Sequence, residues 1–267
     1  MLRKSAVDGS FYPASPEILG KEIRAMITEG GKKEHALGVV SPHAGYVYSG
    51  KVAGEVLSDV TITPTVVVLG VNHRGIGSRA SIMTSGRWET PLGMIDIDEA
   101  LAGRILKESP ALNDDPDSHA YEHSLEVQLP FLQILRPDFK LVPITFQMLK
   151  YDDCATVASA IAKAVADSGH DVLIVASSDM THFETAENAR RKDELAIDRI
   201  LDRDPKGLFN VVTRNNISMC GMIPTTIMLS TTDALGAKKA RMVRYTNSGE
   251  VTGDMTNVVA YTGIIVS

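Results

Sequence analysis

Neutral histidine is the commonest metal ligand, and its side chain suits proton transfer near neutral pH. The chain has 267 residues and only seven histidines. Three of these follow short β-branched runs. His43 lies in Ser41-Pro42-His43-Ala44-Gly45 after residues 37–40, and His73 lies in Asn72-His73-Arg74-Gly75 after residues 66–71. His182 closes Ser177-Ser178-Asp179-Met180-Thr181-His182 after residues 172–176. In open α/β sheets, ligands collect at the carboxyl ends of strands. One such histidine reads as a strand-end cap, but three in equivalent positions read as a site.

Two further patterns bear on chemistry. Cys220 sits in Ser218-Met219-Cys220-Gly221, just ahead of an expected helix. Most free cysteines are small buried hydrophobes, yet a place before a helix start favours thiolate, the form that ligates metal or attacks a substrate. His119-Ala120-Tyr121-Glu122-His123 matches H-x-x-E-H, in which two imidazoles on one helix face hold zinc while the glutamate activates water. That pattern is short and falls in the first turn after a loop, where Glu122 and Glu126 also serve the helix dipole. The zinc-peptidase reading therefore ranks below the three-strand site. A thiol hydrolase built on Cys220 and His182 ranks last, because it leaves His43 and His73 without a role. Cys154 reads as structural, and Met219 and Met222 as core filler rather than copper ligands. Residues 70–77 are glycine-rich but lack both the P-loop ending and G-x-G-x-x-G spacing.

The elements that must position these loops alternate between β-branched runs and helical patterns, as in α/β folds. Strands are expected at 37–40, 66–71, 141–146 and 172–176; the second and fourth are apolar on both faces, as central parallel strands must be. One helix is expected after Ser49 as its cap, with Val52, Val56 and Leu57 on one face. Another runs from Asp98 through Lys107. A long one runs from Ser118 to about Leu135, which Pro130 should kink or divide. Residues 152–168 form a helix that Gly169 stops, residues 185–201 a charged surface helix, and residues 224–235 a more buried one. Residues 241–246 and 257–266 read as a closing pair of strands. With no repeat or linker, the expectation is a single domain over 1–267: α/β, with a mixed, mostly parallel sheet flanked by helices.

Composition narrows the function. Lys and Arg number 27 against 33 Asp and Glu, for a net charge of −6, and aromatics make up 5%. A dedicated nucleic-acid binder should instead show a basic field and stacking residues. Apolar stretches fall far below the roughly 20 residues of a membrane helix. Two cysteines cannot make a disulfide framework, and the N-terminal MLRKSAVDGSFYP lacks the apolar region of a signal peptide. The expectation is a soluble, cytoplasmic protein whose partner is a small molecule or peptide, not nucleic acid or membrane.

Taken in order, AVDGSFYP, SPHAGYVYSG, LGVNHRG, the W-x-T-P-L-G of residues 88–93, EHSLEVQLPFL, SSDMTHF and the MCG around Cys220 give the chain its family character. It resembles the Memo family (mediator of ErbB-driven cell motility) over nearly its whole length. The resemblance implies a fold similar to class III extradiol dioxygenases, non-haem iron enzymes that open catechol rings. There, two histidines and a carboxylate bind Fe(II) and another histidine is the acid/base. Carried onto this chain, it implies one metal ion held by His43, His73 and Cys220, with Cys220 in the carboxylate's place. A thiolate is the softer ligand and tilts preference toward copper, zinc or a different iron chemistry. His182 would stand beside the metal as acid/base, oriented by Asp179. Glu122 and His123 would line the pocket, and Tyr48 and Arg74 would hold a polar or anionic group. The resemblance thus implies a metal-binding protein with metal-dependent (iron or copper, with zinc the lesser choice) oxidoreductase or dioxygenase-like activity on a small substrate. The alternative is a non-catalytic module that binds a peptide or anion in the same cleft.

Overall fold

The computed structural model describes every residue except Glu29 and Lys32. From the N-terminus come β1 (Leu2–Arg3), α1 (Pro16–Met26), β2 (Gly38–Ser41), α2 (Tyr46–Ser58), β3 (Thr65–Val71), β4 (Ala80–Ile82), β5 (Arg87–Thr90), β6 (Gly93–Asp96), α3 (Glu99–Glu108) and β7 (Asn113–Asp114). A 3-10 turn at Pro116–His119 leads into α4 (His123–Glu126), α5 (Leu129–Leu135), β8 (Lys140–Phe146), α6 (Tyr151–Ala166), β9 (Val172–Ser177) and β10 (His182–Glu184). The chain closes with α7 (Ala186–Leu201), α8 (Pro205–Arg214), α9 (Met222–Ala234), β11 (Ala240–Asn247), α10 (Gly249–Thr252) and β12 (Val258–Val266).

One large sheet runs in the order β10-β12-β2-β9-β3-β8-β4-β7, with β11 also paired to β12. Its centre is parallel: β2 pairs with β9, β9 with β3, and β3 with β8. Toward the flanks β12 runs antiparallel to β2, and β4 antiparallel to β8. The expected mixed α/β architecture is the one observed. β9 is buried along its whole length and β3 along all but its last residue, since each is hydrogen-bonded on both sides and covered on both faces. A Cβ on Gly38 would meet Met228 and Thr232 of α9, while one on Gly263 would meet Val52 and Val56 of α2. The two helices therefore press on opposite faces, closely enough to require glycine beneath them. A second, small sheet, β1-β5-β6, lies beside β8, which Ile97 just after β6 bridges at Leu141.

Local signals hold at several ends. Asp98 accepts from Leu101 N to cap α3, and Thr185 from Asn188 N to cap α7. Gly169 (φ 76°) lies just beyond α6. Others need correction. Ser49 does not cap α2; that helix starts at Tyr46, and Ser49 lies buried inside it, donating to Ala44 O at 3.0 Å. The long helix expected from Ser118 is broken into a 3-10 turn, α4 and α5; the division at Pro130 is the expected one, the breaks before it are not. Pro130 sits in the first turn of α5, where its missing N–H has no intrahelical partner to lose. Helices α1 and α8 and strands β4 to β7 were not anticipated from periodicity.

Candidate metal centre

Parallel register sets the carboxyl ends of β2, β9 and β3 side by side. Ser41 pairs with Ser177, and Leu69 with Ala176. His43, His73 and Asp179 each stand two residues beyond the last residue of their strand, so their loops leave the sheet edge at one level. Ligand atoms of His43, His73 and His123 all lie within 4.8 Å of one another. Ring centroids are 5.2 Å apart for His43–His73, 5.5 Å for His43–His123 and 4.5 Å for the stacked His73–His123 pair. Cys220 arrives from the turn before α9, with Sγ 3.2 Å from His43 Nε2. That approach depends on Gly221, where a Cβ would lie 2.3 Å from Ser178 Cβ and 2.5 Å from Ser177 O.

The hydrogen bonds behind the rings fix which nitrogen faces inward. Ser177 Oγ donates its one hydrogen to Ser124 O at 2.6 Å and accepts from Gln128 Nε2 at 2.9 Å. Its 2.9 Å contact with His43 Nδ1 must therefore be donated by the ring, which leaves Nε2 with a free lone pair. Glu122 acts likewise on His73: its carboxylate accepts from Nδ1 at 2.9 Å and from the main-chain N at 2.7 Å. The same carboxylate lies 3.4 Å from His123 Nδ1 and accepts from Ser124 N at 2.8 Å, capping α4. His182 Nδ1 meets Ser218 O at 2.9 Å, and a carbonyl only accepts. In His43, His73 and His182 the proton sits on Nδ1 and Nε2 is unprotonated, which is how metal-binding imidazoles are held.

Burial, then the neighbouring His73, lowers the His43 pKa to about 3. Burial, then His43, lowers that of His123 to about 4. Burial alone would raise Glu122, but hydrogen bonding and charge from His73, with His123 and Ser124, hold it down at about 2. His43 and His123 are therefore neutral near pH 7, and the carboxylate behind the group is an anion. Cys220 departs from expectation. Burial first, then Asp179, pushes its thiol up, so its place before α9 does not yield a thiolate in the metal-free protein. A bound cation is what would lower it.

Asp179 also differs from its expected part. It does not hold His182, whose ring is held by Ser218; its carboxylate accepts from His43 N at 2.7 Å, and its own N donates to Cys220 Sγ at 3.3 Å. Burial raises its pKa, against the lowering effect of the His43 N–H and of nearby His182 and His123. Tyr48 is partly exposed, and Arg74 is exposed in the loop carrying His73; neither is tied to the imidazoles by a hydrogen bond among the described residues. The H-x-x-E-H face does not form. His119 ends the 3-10 turn with Nδ1 against Asp115 O at 3.1 Å and its ring edge-on to Trp88, outside the histidine group. The backbone turns between His119 and His123, so the two are not stacked on one helix.

Sequence reasoning placed His123 on the pocket wall rather than among the grouped imidazoles. It also missed Ser177, Gln128 and Ser218 as holders of ring orientation. The signal lay in EHSLEVQLPFL. Glu122 backs the rings, and Ser124 Oγ accepts from Val71 N at 2.9 Å and donates to Val71 O at 3.0 Å, locking α4 onto the end of β3. Glu126 accepts from Arg3, Tyr12 and the main-chain N of Ala6 and Val7, docking the N-terminal AVDGSFYP. Phe11 of that segment then packs against the His123 ring at 4.7 Å.

Comparison with known proteins identifies relatives over the whole chain and a likeness of fold. The chain is 45% identical over 268 residues to a MEMO1 family protein of Methanosarcina acetivorans, covering 99% of each. It is 41% identical to one of Aquifex aeolicus (99% and 98% covered) and 39% identical to one of Methanopyrus kandleri (99% of each). Among solved structures, an uncharacterized protein of Escherichia coli K12 matches with a TM-score of 0.56 at 12% identity, over 86% of this chain and 99% of that one, a likeness of fold alone. Residues 3–265 match the family described as Memo-like protein, and the chain belongs to that family.

Proposed function

We propose that this protein binds one transition-metal ion through His43, His73 and Cys220, with His123 at its side, and uses it in an oxidoreductase reaction on a small substrate. The observation that carries the reading is the shared tautomer: separate partners from separate elements hold Nδ1–H on His43 and His73, so that Nε2 is unprotonated on both. Structural histidines have no need of such agreement. The donor set suits a metal: two imidazoles with unprotonated Nε2, a third ring within 4.8 Å, and a sulfur against one of them. Imidazole with thiolate suits copper, iron and zinc.

A bound iron or copper ion would supply electron transfer and Lewis-acid polarisation. The chain's own groups would do the rest. His182, with Nδ1–H held by Ser218 O, offers Nε2 as a base and returns the proton later. Asp179 holds the His43 backbone through the main-chain N of that residue. Phe11 limits water around His123. Tyr48 and Arg74, at the rim, would orient a polar or anionic part of the substrate.

Elemental analysis of protein purified without added metal tests this, repeated on His73→Ala and Cys220→Ser. Near-stoichiometric metal in the wild type and its loss in both variants is the expected result. Unchanged content in both would remove the assigned ligands. Ligand binding that survives His182→Ala, with no oxygen consumed, would favour the peptide- or anion-binding alternative.

A further inference from the structure

Among the described residues, three other than glycine have positive φ: Phe183 (60°), Arg203 (54°) and Asn216 (48°). Arg203 and Asn216 directly follow the cap residues of α7 and α8, where a left-handed residue is a usual way to end a helix. Phe183 has no helix to end. It stands inside β10, where the pairing with β12 shifts between His182–Val259 and Glu184–Val258. Glycine makes such a bulge without steric cost. For a bulky side chain the conformation is an outlier, kept only where the surroundings over-determine it.

Here they do. His182 N donates to Ser218 Oγ at 2.8 Å, that hydroxyl donates back to His182 O at 3.3 Å, and Glu184 is tied to Val258 and Lys192. The Phe183 side chain adds little to this clamp. It is 76% exposed, and its ring meets that of His182 edge-on, with centroids 5.8 Å apart. Strain and an exposed ring thus coincide at one residue, and glycine would remove both. The clamp also sets the ring beside the imidazole whose Nε2 is free.

We infer that Phe183 is a specificity-determining residue, an aromatic wall that packs against a planar apolar ring of the substrate while His182 addresses the polar groups. The inference rests on the metal-centre reading above, since the metal is what would hold the polar end in place.

Acetohydroxamate and benzohydroxamate share one metal-chelating head and differ by a phenyl ring. Each is titrated by calorimetry into full-length protein loaded with Zn2+, as wild type, Phe183→Gly and Phe183→Tyr. Phe183→Gly should weaken benzohydroxamate by about three- to ten-fold, the worth of one aromatic pair, and leave acetohydroxamate unchanged; Phe183→Tyr should restore the difference. The metal-free Phe183→Gly protein should melt at or above the wild-type temperature. Equal effects on both probes, or a lower melting temperature, would overturn the role of Phe183 and leave the metal centre standing. Binding of neither probe to the loaded wild type would overturn the metal centre, and this inference with it.

Discussion

Glu122→Gln changes little in shape and reverses the hydrogen-bond logic of the centre. The carboxylate is fully buried and accepts from His73 Nδ1, His73 N and Ser124 N. These hydrogen bonds, that of His73 first, and in acid the charge of the neighbouring rings, outweigh burial and hold its pKa at about 2 instead of the ordinary 4.5. At ~1.4 kcal/mol per unit, the anion stabilises the fold by up to roughly 3 kcal/mol at neutral pH. Because the folded pKa is the lower one, that contribution is complete above the ordinary value and drains away as pH falls toward the folded value. An amide has one acceptor oxygen and two N–H donors, so its NH2 must turn toward an existing donor. The available relief is for His73 to move its proton to Nε2, which removes the lone pair aimed at the centre. Urea unfolding of the metal-free variant should show a loss of up to roughly 3 kcal/mol, and calorimetric metal affinity should fall by about 10- to 100-fold. A variant with wild-type unfolding and wild-type affinity would refute the role assigned to Glu122.

Acid should destabilise the metal-free protein. Burial holds His43, His119 and His123 neutral, at about 3, 4 and 4, so below the ordinary histidine value the unfolded chain takes up protons that the folded one refuses. Stability then falls by up to ~1.4 kcal/mol per pH unit for each ring; urea midpoints that stay flat from about pH 7 to about pH 5 would contradict this. His119→Ala should unfold more easily, by roughly 2 kcal/mol for a lost buried ring, yet keep its metal on elemental analysis; metal loss would restore the peptidase pattern. Gly221→Ala should lose metal at least as completely as Cys220→Ser, because the added Cβ would lie 2.3 Å from Ser178 Cβ and push Cys220 from His43. Wild-type metal content in Gly221→Ala would show that the turn tolerates the displacement.

His43, His73 and His182 are readable in the sequence because the rule that finds them is local. An apolar run predicts a buried parallel strand, and the residues after it emerge at the ligand-bearing edge. His123 is harder to read. H-x-x-E-H frames it with His119, and only the 3-10 turn followed by the Glu122 cap shows that the two rings part company. Helix continuity from Ser118 failed for the same reason: apolar spacing persists through the region, while the backbone breaks to let Ser124 bond Val71 and Glu126 bond the N-terminal segment. The Cys220 proton state went the other way from the local signal, since burial outweighs the nearby helix start.

Apolar periodicity, caps and the order of motifs depend on neighbours a few residues apart, so the alternating α/β pattern, the central strands and the histidines that follow them belong to the sequence alone. Which imidazole nitrogen faces inward, which third ring joins the group and how near the sulfur comes depend on contacts between distant segments. Cys220 and His43 meet across 177 positions of chain, and the His43 ring is oriented by Ser177. Those distances come from packing α9 and α4 against the sheet, and no local preference encodes them.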